Sequence, residues 1–297
     1  MTIKQFLIAC SFSILIFTSV RSQSHSFGKI TEEEWNMERC SFDTAAQALV
    51  LFDVGTITIR TRDGEINSDP YCKLQPKFFR MVSERHKRVK ILNKEGIKAA
   101  SLSFTLRFVN GKKDILTYFK CIEVHMVNGK EITKKFALKN LIESVEDDGS
   151  VFMTFSLPET TDGSIVDLAY TIESQQFDAT PDWDFSDKSP TLYSEINLVI
   201  PEFCQGQKLY TKFKNLKYES FTKVEKFSVT YLTSWEGMHY SIFTFDVNHE
   251  KYTLSSIPAY QKSEDTFHLK YIFNNIDYAS VPFIFGRTSS GTGKTIK

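Results

Sequence analysis

FSLPETTDGSIVDLAYTIES, residues 155–174, contains two runs of alternating apolar and polar side chains on either side of a Pro-to-Gly segment. With the residues just before it, this stretch has eight apolar positions in step: Val151, Met153, Phe155, Leu157, Val166, Leu168, Tyr170 and Ile172. A period of two places such residues on one face of a strand, whereas a helix would scatter them. Pro158 ends the first run and Gly163 lets the backbone re-enter the second. The stretch therefore predicts a β-hairpin with one face in the core.

The same period recurs along most of the chain. It is clearest in Ser101–Phe108, where every even residue is apolar. Further examples are Ile57/Ile59, Ile196/Leu198/Ile200, Phe227/Val229/Tyr231, Phe243/Phe245/Val247 and Phe267/Leu269/Tyr271/Phe273. Between the runs stand turn signals at Asp63-Gly64, Asn110-Gly111, Asn128-Gly129, Asp148-Gly149 and Asp162-Gly163. Such pairs accept the positive φ angles of tight hairpins. We predict an all-β chain, an antiparallel Ig-like β-sandwich that is either extended or built in two parts.

Short helical turns are expected near the N-terminus. Thr31 can cap a helix that begins with three glutamates, Glu32 to Glu34. Asp43–Ala46 is a second candidate for a brief helical turn before the first apolar run.

The N-terminus of the sequence predicts a cleaved signal peptide, and the C-terminus predicts a disordered tail. Lys4 followed by the mostly apolar run Phe6–Val20 is typical of a cleaved signal peptide, residues 1–22, and is too short for a permanent membrane anchor. A lipoprotein site at Cys10 fits less well, because the apolar run mostly follows that cysteine. We expect an exported protein of the periplasm or cell envelope, or a secreted one, with no membrane anchor after cleavage. Residues 23–285 form the β domain, with a potential internal boundary at 175–190, and residues 286–297 form a disordered tail.

Charge and cysteine content narrow the class of protein. Removing residues 1–22 takes Lys4 and Arg21 from the 36 basic residues and nothing from the 36 acidic ones, so 34 against 36 leaves a net charge of −2. A near-neutral protein does not bind nucleic acid through bulk charge. The cysteines that remain are Cys40, Cys72, Cys121 and Cys204, which allow two disulfides in three pairings or free buried thiols. The sequence decides neither the pairing nor the oligomeric state.

Several phrases, in this order and spacing, carry a family resemblance. They are 43–55 (DTAAQALVLFDVG), 88–96 (RVKILNKEG), 155–158 (FSLP), 162–167 (DGSIVD), 193–195 (YSE) with 200–202 (IPE), and 257–259 (IPA) with Glu264. Over roughly residues 27–280 the chain resembles the bacterial "domain of unknown function 3857" family, common in exported proteins of Bacteroidota.

The resemblance implies an Ig-like β-sandwich that usually precedes a transglutaminase-like domain with a Cys-His-Asp triad. This chain ends about where that domain would begin. The phrase Asp182–Ser186 also lacks the Gln expected after its aromatic residue. We therefore expect no enzyme activity here.

Candidate catalytic motifs in the chain itself are weak. Cys121 and His125 would stand about 13 Å apart on a strand at about 3.3 Å per residue, too far for a nucleophile and its base. Gly293-Lys294-Thr295 resembles the end of a P-loop, but Thr288 occupies the position of the first glycine and no helix can follow. We predict no catalytic, cofactor-binding or metal-binding residues.

Binding residues are the remaining candidates. The basic run Glu84–Lys90 is interpreted as a solvated strand edge, or else as a face for an acidic glycan or partner. The acidic clusters 146–148 and Asp182-x-Asp184-x-x-Asp187 are weak calcium candidates because neither has an EF-hand spacing. The candidate binding surface comprises Trp183, Trp235, Tyr240, Tyr260, Arg85 and Lys87, with loop aromatics expected to be exposed.

Our functional hypothesis is an exported, non-catalytic β-sandwich that binds or positions an envelope protein or glycan. The alternatives are a truncated remnant of a longer transglutaminase-like or peptidase-like enzyme, and a carbohydrate-binding or carbohydrate-acting envelope protein.

Overall fold

The computed structural model describes residues 25–61, 79–157, 160–176, 180–210, 215–233, 237–260, 268–276 and 283–287. The predicted signal peptide, Cys72, Trp235, the Asp63-Gly64 turn and Gly293–Thr295 lie outside these residues.

The described residues are mostly β-strand. The strands are β1 Ala48–Thr61, β2 Phe79–Ile91, β3 Leu102–Leu106, β4 Phe108–Val109, β5 Lys112–Lys113, β6 Ile115–Val127, β7 Lys130–Phe136, β8 Ile142–Val145, β9 Val151–Phe155, β10 Ile165–Ser174, β11 Trp183–Asp184, β12 Thr191–Pro201, β13 Cys204–Tyr210, β14 Lys217–Thr233, β15 Gly237–Ile257, β16 His268–Ile276 and β17 Phe283–Arg287. The helical elements are α1 Glu32–Trp35 and two 3-10 helices, Lys94–Ala100 and Leu138–Asn140.

One large sheet organises the fold. Its strand order is β14-β15-β12-β1-β2-β10-β6-β7, and β17 also pairs with β15, which gives nine strands among the described residues. The pairs are antiparallel with one exception, since β1 and β12 run parallel over the register Val50↔Thr191 to Thr58↔Val199. The expectation of a wholly antiparallel sheet is therefore wrong at this one pair. A parallel neighbour needs a long crossover, and the chain between β1 and β12 supplies it.

The hairpin predicted at residues 155–174 does not form. Strand β9 pairs with β3 and β8 in a small sheet, whereas β10 pairs with β2 and β6 in the large sheet. The eight apolar side chains of this stretch are nevertheless all buried in one cluster. They face one another across the space between two sheets instead of lying side by side in one sheet, so the strands were predicted correctly and their pairing was not.

Two small sheets cover one face of the large sheet, which we call the cleft face. The sheet β3-β9-β8 packs on the β2/β10/β6 half, and the sheet β11-β16-β13 packs on the β1/β12/β15 half. Each half has its own apolar core, with Phe155 and Ile91 fully buried in the first and Phe185 and Ile196 in the second. The described residues therefore form one large sheet with two separate small sheets packed on one of its faces.

The opposite face of the large sheet carries residues 25–47, which we call the N-terminal strap. Within it, Thr31 and Glu34 form a capping box: the Thr31 hydroxyl accepts from the Glu34 N–H at 3.2 Å, and the Thr31 N–H donates to the Glu34 carboxylate at 2.8 Å. Residues 43–46 form a hydrogen-bonded turn. Cys40 of the strap is buried against Leu49, Leu51 and Phe52 of β1.

The Asn-Gly pairs act as the sequence predicted. Asn110 and Gly111 have φ of 51° and 74° and close the β4–β5 hairpin, and Asn128 and Gly129 have φ of 50° and 74° and close the β6–β7 hairpin. Phe108 departs from the expected apolar face, because β3 ends at Leu106 and Phe108 starts β4 with 40% of its surface exposed. Gly286 and Arg287, assigned to the tail, belong to β17 and pair with Tyr240 and His239.

Candidate functional site

The basic run of residues 84–90 lies in the middle of the large sheet. It belongs to β2, which pairs with β1 on one side and β10 on the other. The expectation that this run forms a strand edge is therefore wrong. Because side chains alternate along a strand, His86, Arg88 and Lys90 point to the strap, whereas Arg85 and Lys87 point to the cleft face.

On the strap side, Arg88 is the centre of a buried ion network. Its exposed fraction is 2%, and its guanidinium donates to Glu34 at 2.8 Å and to Asp167 of β10 at 2.7 Å. It also donates to the carbonyl oxygens of Ser26 and Lys29 at 2.9 Å each. The strap is thus attached through both its side chains and its backbone.

Asp167 is fully buried and has two further partners, His86 and Gly28. It lies 2.6 Å from His86 Nε2, and the Gly28 N–H donates to it at 2.6 Å. Burial alone would raise the pKa of Asp167, but the hydrogen bonds from His86 and Arg88 outweigh it and lower the pKa. Lys90 donates to the Trp35 carbonyl oxygen at 3.0 Å, and burial lowers its pKa. The contacts on this side of β2 therefore hold the N-terminal strap on the large sheet.

On the cleft face, Arg85 pairs with the buried carboxylate of Asp53, whereas Lys87 pairs with a carboxylate that is closer to solvent. Arg85 donates to Asp53 through Nε at 2.8 Å and Nη2 at 2.6 Å. Burial alone would lower the pKa of Arg85, but Asp53 and Tyr170 raise it well above its usual value. Lys87 pairs with Asp187, whose side chain is 29% exposed. Burial alone would raise the pKa of Asp187. The positive charge of Lys87 and its hydrogen bond outweigh burial, so the pKa of Asp187 is lowered.

A cleft of about 780 Å³ opens over Arg85 and Lys87, between the two small sheets. We call it the seam cleft. Its residues are Asp43, Ala45, Ala46, Gln47, Arg85, Lys87, Glu95, Gly96, Lys98, Ala99, Ser101, Leu102, Ser103, Asp184, Ser186, Asp187, Lys188, Ser189, Pro190, Ala259 and Tyr260. Most of these are polar or small, so the cleft can hold a polar ligand close to the backbone.

The strap and the seam cleft meet at one wall. The C-terminal end of the strap contributes Asp43, Ala45, Ala46 and Gln47, and the 3-10 helix Lys94–Ala100 packs against it. The Gln47 carbonyl oxygen accepts from the N–H groups of Leu92 and Asn93 at 3.0 and 3.2 Å. A Cβ at Gly96 would overlap that carbonyl oxygen, so only glycine allows this close approach.

The other wall is acidic at Asp184 and Asp187. Burial, together with the charges of Asp182 and Asp187, raises the pKa of Asp184, although Arg85 and His268 act in the opposite direction. Tyr260 completes this wall, with its N–H donating to the Asp187 carbonyl oxygen at 3.1 Å.

The structure separates the predicted binding residues. Arg85, Lys87 and Tyr260 come together in the seam cleft. Trp183 was expected to be exposed, but only 4% of it is: its ring fills the space above Gly55, where a Cβ would collide with it. The Arg85 guanidinium lies 4.5 Å from the Trp183 ring centroid, so Trp183 supports the floor of the cleft. Tyr240 falls in β15, where it pairs with Thr230 of β14. Trp235 lies outside the described residues.

The described cysteines do not form a reactive site. Cys40, Cys121 and Cys204 are free and buried, each in a different apolar cluster. Burial raises the pKa of Cys204 to about 12 and raises that of Cys121 as well. Cys121 and His125 lie four residues apart on β6, opposite Phe136 and Ile132 of β7, and do not form a dyad.

Metal and membrane features are equally sparse in the part of the chain that is described. No group of three or more His, Cys, Asp or Glu side chains there is arranged to hold a metal ion. Among the same residues, no helix has the length and apolarity needed to span a bilayer.

Sequence reasoning missed the partners of the basic run. Asp53 and Asp167 each stand between two apolar neighbours in their strands, and both are almost completely buried. A lone charge in an apolar strand needs a buried partner of opposite sign. That signal, together with a strand that is basic on both faces, could have indicated two ion networks.

Comparisons with known proteins place the chain in a family. No curated protein matches it significantly. A crystal structure of a protein from Parabacteroides distasonis ATCC 8503, proposed to be a protease, is 12% identical and covers 77% of this chain with a TM-score of 0.44. The match covers 41% of that protein, so this chain spans less than half of its length, and at this similarity no argument about function follows.

The family model described as "Domain of Unknown Function with solved-structure structure (DUF3857)" matches residues 79–251. This range runs from the first residue of β2 into β15 and includes the cleft residues Arg85 and Lys87. It covers more than half of the 297 residues and confirms the resemblance read from the sequence. The chain belongs to the DUF3857 family.

Proposed function

We propose that this chain is a non-catalytic binding module and that the seam cleft is its binding site. The observation that carries the proposal is the open cleft of about 780 Å³ between two separately packed sheets, with Arg85 and Lys87 at its floor. Cavities of this size suit ligands of a few residues or sugar units.

The charge balance of the cleft favours a ligand that is polar and close to neutral. Its acidic residues are Asp43, Glu95, Asp184 and Asp187, and its basic residues are Arg85, Lys87, Lys98 and Lys188. Equal numbers of the two signs give no net field to attract a highly charged polymer.

A binding role without catalysis is supported by the state of the charged groups. Arg85 and Lys87 are held in ion pairs by Asp53 and Asp187. The described thiols are buried with raised pKa values and lie outside the cleft. A nucleophile with an adjacent base is what covalent catalysis needs.

The setting of the module is part of the same proposal. We place it outside the cytoplasm, in the periplasm or cell envelope, on the strength of the signal-like residues 1–22. Its sandwich is assigned to the Ig-like kind, and its working context to proteins with a transglutaminase-like domain, through the family resemblance.

A screen of the purified protein on glycan and peptide arrays tests this function. We expect a ligand that binds wild type, loses affinity about tenfold or more with Ser103→Trp, which fills the cleft, and keeps its affinity with Ser144→Trp. Both serines are exposed and belong to the same small sheet, in β3 and β8. Mass spectrometry should recover the ligand unchanged after incubation. A ligand that binds both variants equally, or is converted to product, would overturn the proposal.

A further inference from the structure

The seam cleft lies between the outer edges of two small sheets, and neither edge has a partner strand in the part of the chain that the structure describes. Strand β3 is the outer strand of β3-β9-β8, and β11 is the outer strand of β11-β16-β13. Ser101, just before β3, and Leu102 and Ser103, at its start, line one wall of the cleft, and Asp184 of β11 lines the other. Each outer strand pairs with one neighbour among the described residues: β3 with β9, and β11 with β16.

An outer strand carries backbone groups without a partner strand. In an antiparallel pair, every second residue directs its N–H and C=O away from its neighbour. These groups can pair with an extended chain placed about 4.8 Å away. Strand addition of this kind is a known mode of peptide recognition, in which backbone hydrogen bonds give affinity.

The side chains around these edges leave room for another backbone. Nine of the 21 lining residues are Ala, Gly or Ser, and they include Gly96, Ala99, Ser101 and Ser103 beside β3 and Ser186 and Ser189 on the opposite wall. Small side chains let a second main chain approach closely, whereas long ones would block it. Ser103 is exposed, while Leu102 next to it is buried in the core, so β3 is anchored with its polar side outward.

The lining also argues against a sugar. Among the residues of the cleft, Tyr260 is the one aromatic side chain, since Trp183 is buried beneath the floor. Sugar sites depend on exposed aromatic faces, whereas a peptide backbone needs donors and acceptors along an edge.

We propose that the seam cleft binds an extended polypeptide segment that adds as a strand to the outer edge of β3. This inference rests on the proposed binding function and names the class of its ligand. The mixed charges of the rim, with Lys98 and Glu95 on one wall and Lys188 and Asp184 on the other, then select side chains of the bound segment.

The test uses linear peptides selected from a random phage-displayed library against the whole protein. Each selected peptide is synthesised as a series in which one backbone nitrogen at a time is methylated, and affinities are measured by fluorescence anisotropy. We expect losses of up to about tenfold at every second position, because each methyl group removes one backbone hydrogen bond. The unmethylated peptide should lose about tenfold or more with Ser103→Trp and little with Ser144→Trp.

The outcomes separate this inference from the proposed function. Peptide binding without a period of two in the methylation series, or binding that Ser103→Trp leaves intact, would overturn strand addition. If an array glycan binds in the cleft and no peptide does, strand addition fails while the binding function stands. If neither class binds, both fail. Matching thermal unfolding of the two tryptophan variants and wild type excludes misfolding as the cause of a loss.

Discussion

The two faces of strand β2 use the same kind of residue for opposite purposes. On the strap side, Arg88 is 2% exposed and joins Glu34 to Asp167, which are 7% and 0% exposed. On the cleft face, Lys87 pairs with Asp187, whose side chain keeps 29% of its surface. Adjacent residues of one basic run thus belong to a structural core and to a candidate binding site.

The difference teaches that the surroundings of a charge decide its role. A buried ion pair that loses one partner leaves an uncompensated charge in a low-dielectric interior, whereas a pair near water is resolvated.

The largest effect is expected for Arg88→Met. This change leaves the carboxylates of Glu34 and Asp167 buried without their cation, which should lower the free energy of unfolding by about 3–5 kcal/mol. Urea denaturation followed by circular dichroism measures the loss. A loss below about 1 kcal/mol would show that the network is solvated and that the strap is not fixed by it.

Gly96→Ala tests the wall where the strap meets the seam cleft. The added Cβ would overlap the Gln47 carbonyl oxygen, so backbone must move, at a cost of about 1–3 kcal/mol. Ser101→Ala, in the same wall, adds no atoms and serves as the control in thermal unfolding. Equal stability of the two variants would contradict the close contact.

Acidification should weaken the strap side in two steps. Burial and the charge of His86 lower the pKa of His25 from 6.5, Arg88 adds to this, and Glu195 and Glu34 oppose it. The unfolded chain then takes up this proton at higher pH than the folded one. The contribution of His25 to the free energy of unfolding is fully present above its unfolded pKa of 6.5. It is lost as the pH falls through the lower pKa of the folded state.

Asp167 accounts for the second step. Its pKa is lowered from 3.8, so its stabilisation is present above that pH and disappears as the pH falls through the folded value. Urea midpoints measured from about pH 7 to about pH 3 should show both steps. His25→Gln should remove the first step and keep the second. A first step that survives in His25→Gln would assign it to another group.

The smallest effect is expected for Lys87→Met, the cleft-face counterpart of Arg88→Met. Because Asp187 keeps access to water, its carboxylate is resolvated, and the loss should be about 1 kcal/mol or less. The same urea denaturation measures it. A loss as large as that of Arg88→Met would mean that the two faces do not differ.

The sequence predicted which residues form strands better than which strands pair. Apolar residues at every second position of 151–157 and 166–172 require one buried face each. That requirement is met equally by two neighbouring strands and by two strands facing each other across a core. The choice between these arrangements is made by the partner strands, β3 and β8 for β9 and β2 and β6 for β10, and alternation does not encode which strands pair.

Only part of the candidate site was predicted, because the rest depends on contacts between residues that are distant in sequence. Arg85, Lys87 and Tyr260 were identified, and the structure brings them together. Trp183 was misjudged because a position in a loop suggests exposure, whereas its burial depends on the space left by the distant Gly55. The strap network depends on Glu34, Arg88 and Asp167, which are far apart in sequence and meet only in the folded chain.

The central claim is that β2 is an interior strand whose two faces are used separately. Residue-resolved hydrogen exchange of the backbone amides of residues 84–90 tests it most directly. Because β2 pairs with both β1 and β10, we expect all seven amides to exchange slowly, on both sides of the strand. Fast exchange at every second amide would mean that the run is a strand edge, and would contradict the account.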